Sequence, residues 1–246
     1  MNEAVYDDPA IAELYELLNA WATSDDFYLE WVMAAESVLD VGCGTGLILR
    51  RAREQGHSGR LVGLDPSGSM LEIGRRDRDD IEWVHGYVDQ AGFEQAFDLV
   101  FMSGHAFQEL VTDDDLNRSL RAIRRSLRAG GRFVFETRNP AMRPWESWIP
   151  ENAAEIPHPD GGVIRDENEV ILPVTGDLVR FLSRTWSPTF DGMREAEIQL
   201  RFLDSDSLSR FLESAGLQIE KQYGYWDRSP VSDQSPEIIT VARSTG

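Results

Sequence analysis

The sequence is poor in cysteine and in positive charge. Cys43 is the only cysteine in 246 residues, so no disulfide can form within the chain, as is typical of proteins from a reducing compartment. Lys and Arg number 24 against 43 Asp and Glu, which gives a net charge of -19 at pH 7. Proteins that bind phosphate backbones neutralise them with Lys and Arg. We therefore expect no nucleic acid partner.

Long apolar runs are also missing. No stretch approaches the roughly 18 apolar residues that a membrane-spanning helix needs. The first eight residues (MNEAVYDD) are acidic, whereas a signal peptide begins with basic residues. The sequence thus predicts a soluble, cytoplasmic protein without a membrane partner.

What the chain does contain is an alternation of short apolar runs with helical stretches. The runs predict strands at residues 38–41, 61–64, 81–84, 99–102 and 133–135, and the stretches between them predict helices at 47–55, 67–76 and 114–127. Strands that alternate with helices build parallel sheets covered on both faces. The predicted fold class is therefore α/β, with a Rossmann-like, mostly parallel sheet.

Two regions depart from this alternation. Residues 1–36 predict a helical cap, with helices at 9–20 and 26–33. Residues 141–202 are predicted to form an antiparallel insertion over the substrate, because alternating runs at 163–174, 178–186 and 193–202 are separated by turn residues. A helix at 204–215 and strands at 217–223 and 238–242 follow. The core thus comprises residues 37–140 and 203–246, in one continuous structural domain.

A glycine-rich turn follows the first predicted strand. Gly42, Gly44 and Gly46 have the spacing G-x-G-x-G, and Leu47 occupies the position where the dinucleotide pattern G-x-G-x-x-G has its third glycine. Asp65 ends the next predicted strand, where a carboxylate is able to accept both hydroxyls of a ribose. Such a carboxylate is also able to cap the following helix. The loop and Asp65 together favour a nucleoside cofactor without a pyrophosphate.

These segments resemble class I S-adenosylmethionine-dependent methyltransferases. The resemblance rests on LDVGCGTG at residues 39–46, GLDPSGSML at 63–71, FDLV at 97–100 and LRAGGRF at 127–133. It implies a seven-stranded sheet with an antiparallel last strand and S-adenosylmethionine as cofactor, which becomes S-adenosylhomocysteine. It also implies a set of cofactor-binding residues: Asp40, Gly42, Gly44, Thr45, Gly46, Asp65, Pro66, Met70, Tyr87, Val88 and Met102.

The adenine end departs from the family pattern. The family usually has an acidic residue after the glycine at this point, and the chain has Tyr87 after Gly86. Two interpretations stay open. Either Asp89 replaces the missing carboxylate, or backbone and apolar contacts alone hold the adenine.

Two basic side chains are the catalytic candidates. His105 follows the fourth predicted strand, beside the expected methyl group, and histidine titrates near neutral pH, which suits a general base. The alternative is a histidine that hydrogen-bonds the cofactor or a neighbouring loop. Arg138 and Asn139 follow the fifth strand, and Arg138 is suited to bind a carboxylate or phosphate of the substrate.

Several aromatic residues have two interpretations each. Four tryptophans lie in or near the insertion, where they would either wall the substrate pocket or form the small sheet's own core: Trp145, Trp148, Trp186 and Trp226. Tyr6 and Tyr15 would either cover the cofactor or pack in the core.

Asp113, Asp114 and Asp115 follow Thr112 at the start of a predicted helix, where carboxylates interact favourably with the helix dipole. We interpret them as capping residues and expect no metal.

The leading hypothesis is methyl transfer to an oxygen or nitrogen nucleophile of a small metabolite or natural product. The alternative is a non-catalytic protein that binds S-adenosylmethionine as a sensor or scaffold, and an NAD-dependent oxidoreductase is a third. The sequence leaves a monomer and a homodimer equally open.

Overall fold

The computed structural model describes residues 6–244. The first two helices are α1 (Pro9–Leu18) and α2 (Thr23–Met33). The first half of the α/β region contains β1 (Ser37–Val41), α3 (Leu47–Glu54), β2 (Arg60–Asp65), α4 (Gly68–Asp77) and β3 (Glu82–His85). The second half contains β4 (Phe97–Met102), a 3-10 turn (Ala106–Glu109), α5 (Asp113–Ser126) and β5 (Leu127–Arg138).

After β5 the chain makes three short 3-10 turns, Pro140–Met142, Pro144–Ser147 and Pro150–Asn152. Each of these 3-10 turns begins with a proline, and at that position the missing N–H costs no hydrogen bond. The next four strands are β6 (Ala154–Pro157), β7 (Val163–Val170), β8 (Leu178–Trp186) and β9 (Met193–Arg201), and the chain returns through α6 (Ser205–Ser214), β10 (Leu217–Tyr223) and β11 (Glu237–Ser244).

The large sheet has seven strands in the order β10-β11-β5-β4-β1-β2-β3. Neighbouring strands from β5 to β3 run parallel, whereas β11 pairs antiparallel with both β5 and β10. The Rossmann-like prediction, including the antiparallel last strand, is confirmed. Because β1 has β2 on one side and β4 on the other, a crevice opens at the carboxyl ends of β1 and β4, where ligands bind in such sheets.

The second sheet is antiparallel throughout, in the order β6-β7-β8-β9. The sequence predicted three of these strands and missed β6, whose four residues are largely exposed. Its core contains Val179, Phe181, Ile198, Leu200 and Phe202, with Trp145 and Trp148 packed against them.

The other two tryptophans lie apart. Trp226 packs against Phe27 and Tyr28 of α2, and Trp186 lies beneath the Arg165 guanidinium. None of the four tryptophans lines the central cavity, and only Trp145 and Trp148 pack in the small sheet's own core. Trp226 fits neither interpretation, because it packs in the core around α2.

Polar side chains cap the amino-terminal ends of three helices. Ser67 accepts from the Met70 amide at 3.1 Å, and Asp204 caps α6. Thr112 caps α5 by accepting from the Asp115 amide at 3.1 Å. The N-cap is thus Thr112 and not an aspartate: Asp113, Asp114 and Asp115 lie in the first turn, where Asp113 pairs with Arg201 and the other two with Arg118.

Within residues 6–244, none of the helices combines the length and apolar character that a bilayer crossing requires.

Candidate functional site

A cavity of about 380 Å³ lies between the carboxyl edge of the large sheet and the inner face of the small sheet. Gly42 and Gly44 of the loop after β1 line it. Gly42 has a φ of +76°, and a Cβ added to it would come within 2.9 Å of the Ala106 Cβ. The loop therefore approaches the turn after β4 more closely than any residue other than glycine allows.

Asp40, Thr45 and Gly46 are not among the lining residues. A Cβ on Gly46 would meet the Trp83 ring at 2.2 Å, and Gly63 and Gly74 approach the same ring closely. Gly46 thus makes room for Trp83 rather than for a ligand. Any contribution of Thr45 and Gly46 to cofactor binding acts through the shape of the loop.

Asp65 ends β2 at the cavity with both carboxylate oxygens engaged. One oxygen accepts from the Gly44 amide at 2.7 Å, and the other accepts from the Ser67 amide at 2.8 Å. Burial raises the pKa of Asp65, and these two hydrogen bonds oppose the rise. Asp65 therefore holds the glycine loop while it faces the cavity, and each oxygen keeps a further lone pair for a ligand hydroxyl.

Asp40 of β1 is 2% exposed, and its Oδ1 has no hydrogen-bond partner among the described residues. Burial raises the pKa of this carboxyl well above its usual range, and the charges of Asp65 and Glu136 add to the effect. A buried polar atom without a partner costs about 1–3 kcal/mol. A ligand that supplied a hydrogen-bond donor here would recover that cost.

The predicted adenine end forms one wall of the cavity, to which Pro66, Met70, Tyr87, Val88 and Met102 all contribute. The hydroxyl of Tyr87 is buried without a partner in residues 6–244. Asp89 does not line the cavity and forms an ion pair with Arg118 at 3.4 Å. Asp89 is therefore not placed to replace the missing carboxylate, which leaves backbone and apolar contacts, with the Tyr87 hydroxyl beside them.

Tyr6 and Tyr15 close the cavity on the side of the amino-terminal segment, with their rings edge to face at 6.4 Å. Burial raises the pKa of both phenols. Asp8, between them in sequence, accepts from Arg194 of β9 at 2.9 Å. The segment that walls the glycine loop is thereby joined to the small sheet.

His105 lies at the cavity just beyond β4, in a left-handed conformation with φ 62° and ψ 19°. Such a conformation is uncommon outside glycine. Its backbone N–H donates at 2.7 Å to Glu136 of β5, and the other oxygen of Glu136 accepts from the Tyr28 hydroxyl. Glu136 is 1% exposed. A fully buried carboxylate therefore holds the backbone of the turn that carries His105.

The imidazole of His105 faces a second carboxylate. Its Nε2 lies 3.1 Å from each oxygen of Glu237, the first residue of β11. Burial lowers the pKa of His105 to about 4, with Arg138 acting in the same direction, and raises the pKa of Glu237 to about 7. The expectation that His105 titrates near neutral pH is therefore wrong, and the imidazole is neutral near pH 7, the form in which it accepts a proton.

Arg138 ends β5 and lines the cavity. Its backbone N–H and its guanidinium both donate to the Oε1 of Gln108, at 3.3 and 3.1 Å, and the guanidinium lies 5.4 Å from the Trp148 ring centre. Burial lowers its pKa, with Glu237 and Glu136 opposing. Asn139 points away, since its side chain binds the Ala141 amide and the Ser235 carbonyl.

The small sheet closes the cavity with polar residues toward one end and apolar residues toward the other. Asp166 pairs with Thr185 in register and accepts its hydroxyl at 2.7 Å, and Asn168 pairs with Ser183 in the next row. The neighbouring rows contribute apolar side chains: Phe181, Ile198 and Leu200. Burial raises the pKa of Asp166, whereas the Thr185 hydroxyl lowers it.

Sequence reasoning missed Glu136, Glu237 and the polar rows of the small sheet. Glu136 carries one signal, a carboxylate within the apolar strand FVFET at residues 133–137. Glu237 carries none, because its role depends on the pairing of β11 with β5 across the fold.

Comparison with known proteins gives a family match over the strands that carry this site. The model of a methyltransferase domain matches residues 38–131, from β1 to the first residues of β5. Its span includes the glycine loop, Asp65 and His105. Residues 38–131, less than half of the chain, thus match a methyltransferase domain.

Two curated relatives extend the likeness. The chain is 35% identical to the cypemycin N-terminal methyltransferase of Streptomyces sp over 146 residues, which cover 56% of this chain and 58% of the relative. It is 27% identical over 230 residues to the dTDP-4-amino-2,3,4,6-tetradeoxy-D-glucose N,N-dimethyltransferase of Saccharopolyspora spinosa, covering 86% and 87%. The first match thus spans less than two thirds of that relative's length.

A solved S-adenosylmethionine-dependent methyltransferase from Clostridium acetobutylicum has a similar fold around the methyltransferase domain. It superposes with a TM-score of 0.75 at 18% identity and covers 95% of this chain and 97% of its own. At that identity the likeness concerns the fold alone.

The residues present fit S-adenosylmethionine as the cofactor of the methyltransferase domain. The loop at Gly42 and Gly44 is open backbone, Asp65 faces the cavity, and two buried polar atoms, Asp40 Oδ1 and the Tyr87 hydroxyl, have no partner among the described residues. Their chemistry matches an amino group and an adenine, the two ends of that molecule.

Proposed function

We propose that this protein transfers the methyl group of S-adenosylmethionine to an oxygen or nitrogen nucleophile of a small metabolite or natural product. The observation that carries the proposal is the single cavity shared by the glycine loop, His105 and the small sheet. Its volume of about 380 Å³ lies within the roughly 300–1,000 Å³ typical of small-molecule sites.

S-adenosylmethionine, when bound, supplies a methyl group attached to a positively charged sulfonium. Loss of that methyl group turns the sulfonium into a neutral thioether. In this proposal Asp40 accepts a hydrogen bond from the amino group, Asp65 binds the ribose hydroxyls, and Tyr87 binds the adenine. Pro66, Met70, Val88 and Met102 provide the apolar wall. The cofactor brings the reactive group, so the protein has to align the acceptor and remove its proton.

His105 is the proposed general base. The neutral imidazole removes the proton from the acceptor heteroatom, whose electron pair is then available to form the new bond. Arg138 is proposed to orient the acceptor through its guanidinium, which Gln108 and Trp148 already hold in place.

The chain is proposed to consist of a cap at residues 1–36, a core at residues 37–140 and 203–246, and an insertion at residues 141–202. Within the insertion, the small sheet is proposed to bind the acceptor. Asp166 and Asn168 would bind hydroxyl or amino groups, and Phe181 would contact the apolar part of the acceptor. Nitrogen is favoured over oxygen, because both curated relatives described above are named for methylation at nitrogen or at an amino terminus.

We further infer action in the cytoplasm, which the single buried thiol of Cys43 supports. The net charge of -19 supports a partner other than nucleic acid.

The test is release of S-adenosylhomocysteine on incubation with S-adenosylmethionine and a panel of small amines, amino sugars, phenols and carboxylic acids. We expect turnover with members of the amine group and at least a hundredfold loss in kcat for His105→Gln, since general base catalysis contributes about 10²- to 10⁴-fold. A matched control is His158→Gln, because His158 is a half-buried residue that does not line the cavity.

Binding of S-adenosylhomocysteine without turnover on any acceptor would favour the non-catalytic alternative. Turnover that survives His105→Gln unchanged would remove His105 as the base and leave the cofactor site intact.

A further inference from the structure

The antiparallel strand β11 brings a carboxylate to the edge of the sheet where His105 lies. The other strands of the core, β1 to β5, present their carboxyl ends there, and β11 presents its amino end. Glu237, its first residue, is paired in register with Arg138, the last residue of β5. Glu237 therefore lies beside the cavity although it follows His105 by 132 residues.

The contact between the two side chains fixes one ring nitrogen and leaves the other available. Nε2 of His105 lies 3.1 Å from both oxygens of Glu237, so an N–H on Nε2 points at the centre of the carboxylate. The hydrogen bonds of His105 involve its Nε2 and its backbone N–H and not Nδ1. The backbone of His105 is held by Glu136 and the ring by Glu237, so the residue is fixed at two points.

The charges that act on the pair come from β5. Arg138 and Glu136 face it from β5, and Tyr28 approaches Glu136 from α2. Arg138 favours the ionised form of Glu237 and disfavours an imidazolium, whereas Glu136 favours the imidazolium. The side chains of His105 and Glu237 are only 21% and 13% exposed. Water therefore screens only part of the attraction between a protonated imidazole and the Glu237 carboxylate.

We propose that the ionised form of Glu237 is a positioning residue for His105: it holds the imidazole as the Nε2–H tautomer and so presents Nδ1 to the acceptor. This inference rests on the proposed function for its catalytic meaning. The acceptor's proton moves to Nδ1, and the electron pair of the broken bond stays on the acceptor heteroatom. The resulting imidazolium and the Glu237 carboxylate form a pair without net charge. A carboxylate that fixes the tautomer of a histidine base has the same effect in serine hydrolases.

The test separates the tautomer from turnover by observing the ring directly. The chain has four histidines, so ¹⁵N NMR of histidine-labelled protein saturated with S-adenosylhomocysteine is tractable, and the signals lost in His105→Gln assign the residue. We expect wild-type His105 to show a protonated Nε2 and an unprotonated Nδ1 at pH 8. Glu237→Gln keeps an acceptor oxygen and retains this tautomer, whereas Glu237→Leu loses it.

The charge of Glu237 is tested by titration. We expect His105 to titrate at a lower pH in Glu237→Gln than in the wild type, because the imidazolium loses its carboxylate partner. With an acceptor from the panel, kcat should fall about tenfold or more in both variants, while the KM for S-adenosylmethionine stays within about twofold. Glu220→Gln is the matched control, since Glu220 lies on the adjacent strand β10 in an ion pair with Arg132 and outside the cavity.

The proposal is overturned if Glu237→Leu, shown to be folded by unchanged binding of S-adenosylhomocysteine, leaves the tautomer as in the wild type. It is also overturned if the wild-type protein carries its proton on Nδ1. If no acceptor is turned over, the proposed function fails, and the NMR result still decides the role of Glu237.

Discussion

Replacement of Gly46 by alanine tests whether the third glycine of the loop serves packing. Gly46 has a φ of +71°, and an added Cβ would lie 2.2 Å and 2.5 Å from two carbons of the Trp83 ring. The left-handed backbone costs an alanine about 1–2 kcal/mol. Forcing a methyl group into a filled core adds about 1–3 kcal/mol. We therefore expect Gly46→Ala to lower the free energy of unfolding by about 2–5 kcal/mol.

The chain provides a matched control for the backbone contribution. Gly56, at the other end of α3, has a φ of +88°, and an added Cβ would have nothing within 4 Å. Gly56→Ala should thus cost only the backbone part, about 1–2 kcal/mol. Urea unfolding of the two variants, with equal dependence on denaturant, gives the difference, which we expect to be about 1–3 kcal/mol.

A double-mutant cycle then identifies the partner. Trp83→Leu removes the ring that the new methyl group would strike, so the cost of Gly46→Ala should shrink by about 1 kcal/mol or more in that background. The explanation is refuted if Gly46→Ala costs no more than Gly56→Ala, or if the costs of the Gly46 and Trp83 substitutions simply add.

Three further predictions concern the cavity. Asp65→Asn should weaken binding of S-adenosylhomocysteine about tenfold or more in calorimetry, because hydrogen bonds to a charged group contribute about 1.5–3 kcal/mol. Equal affinity of the two proteins would contradict the ribose role. Tyr87→Phe should leave the unfolding temperature of the free protein unchanged or raised, since the lost hydroxyl has no partner among the described residues. It should also reduce the rise in unfolding temperature that added S-adenosylhomocysteine causes. An equal rise in both proteins would contradict the adenine contact. The folded protein keeps a proton on Glu237 up to a pKa of about 7, whereas the unfolded chain loses it at the ordinary value of 4.5, so the free energy of unfolding should fall as pH rises between these values. Glu237→Gln should make that fall shallower, and identical slopes in denaturant titrations would argue against the raised pKa.

The sequence was sufficient to predict the α/β core because its evidence is local. The apolar runs and the glycine spacing predicted β1 and β2 to within a residue of their observed ends. The strand β5 is longer than predicted, because its pairing with β4 and β11 extends it well beyond the apolar segment at 133–135. The strand β6 was missed because pairing with β7, not its own apolar content, makes it a strand.

The candidate site divides in the same way. Asp65 and His105 were found because each follows a strand whose end the sequence predicts. Glu237 was missed because its position depends on a register between strands far apart in sequence. Gly46 was assigned to the cofactor by its motif, whereas the position of Trp83 is visible only in the packed structure.

The ion pair between Asp8 and Arg194 has a consequence for how the two substrates affect one another. It joins the segment that walls the glycine loop to the strand that covers the acceptor half of the cavity. With side chains 29% and 39% exposed, the pair contributes at most about 1 kcal/mol. Coupling between two binding sites is reciprocal. If this contact lets the cofactor raise the affinity for the acceptor, the acceptor raises the affinity for the cofactor by the same factor, which is at most about fivefold.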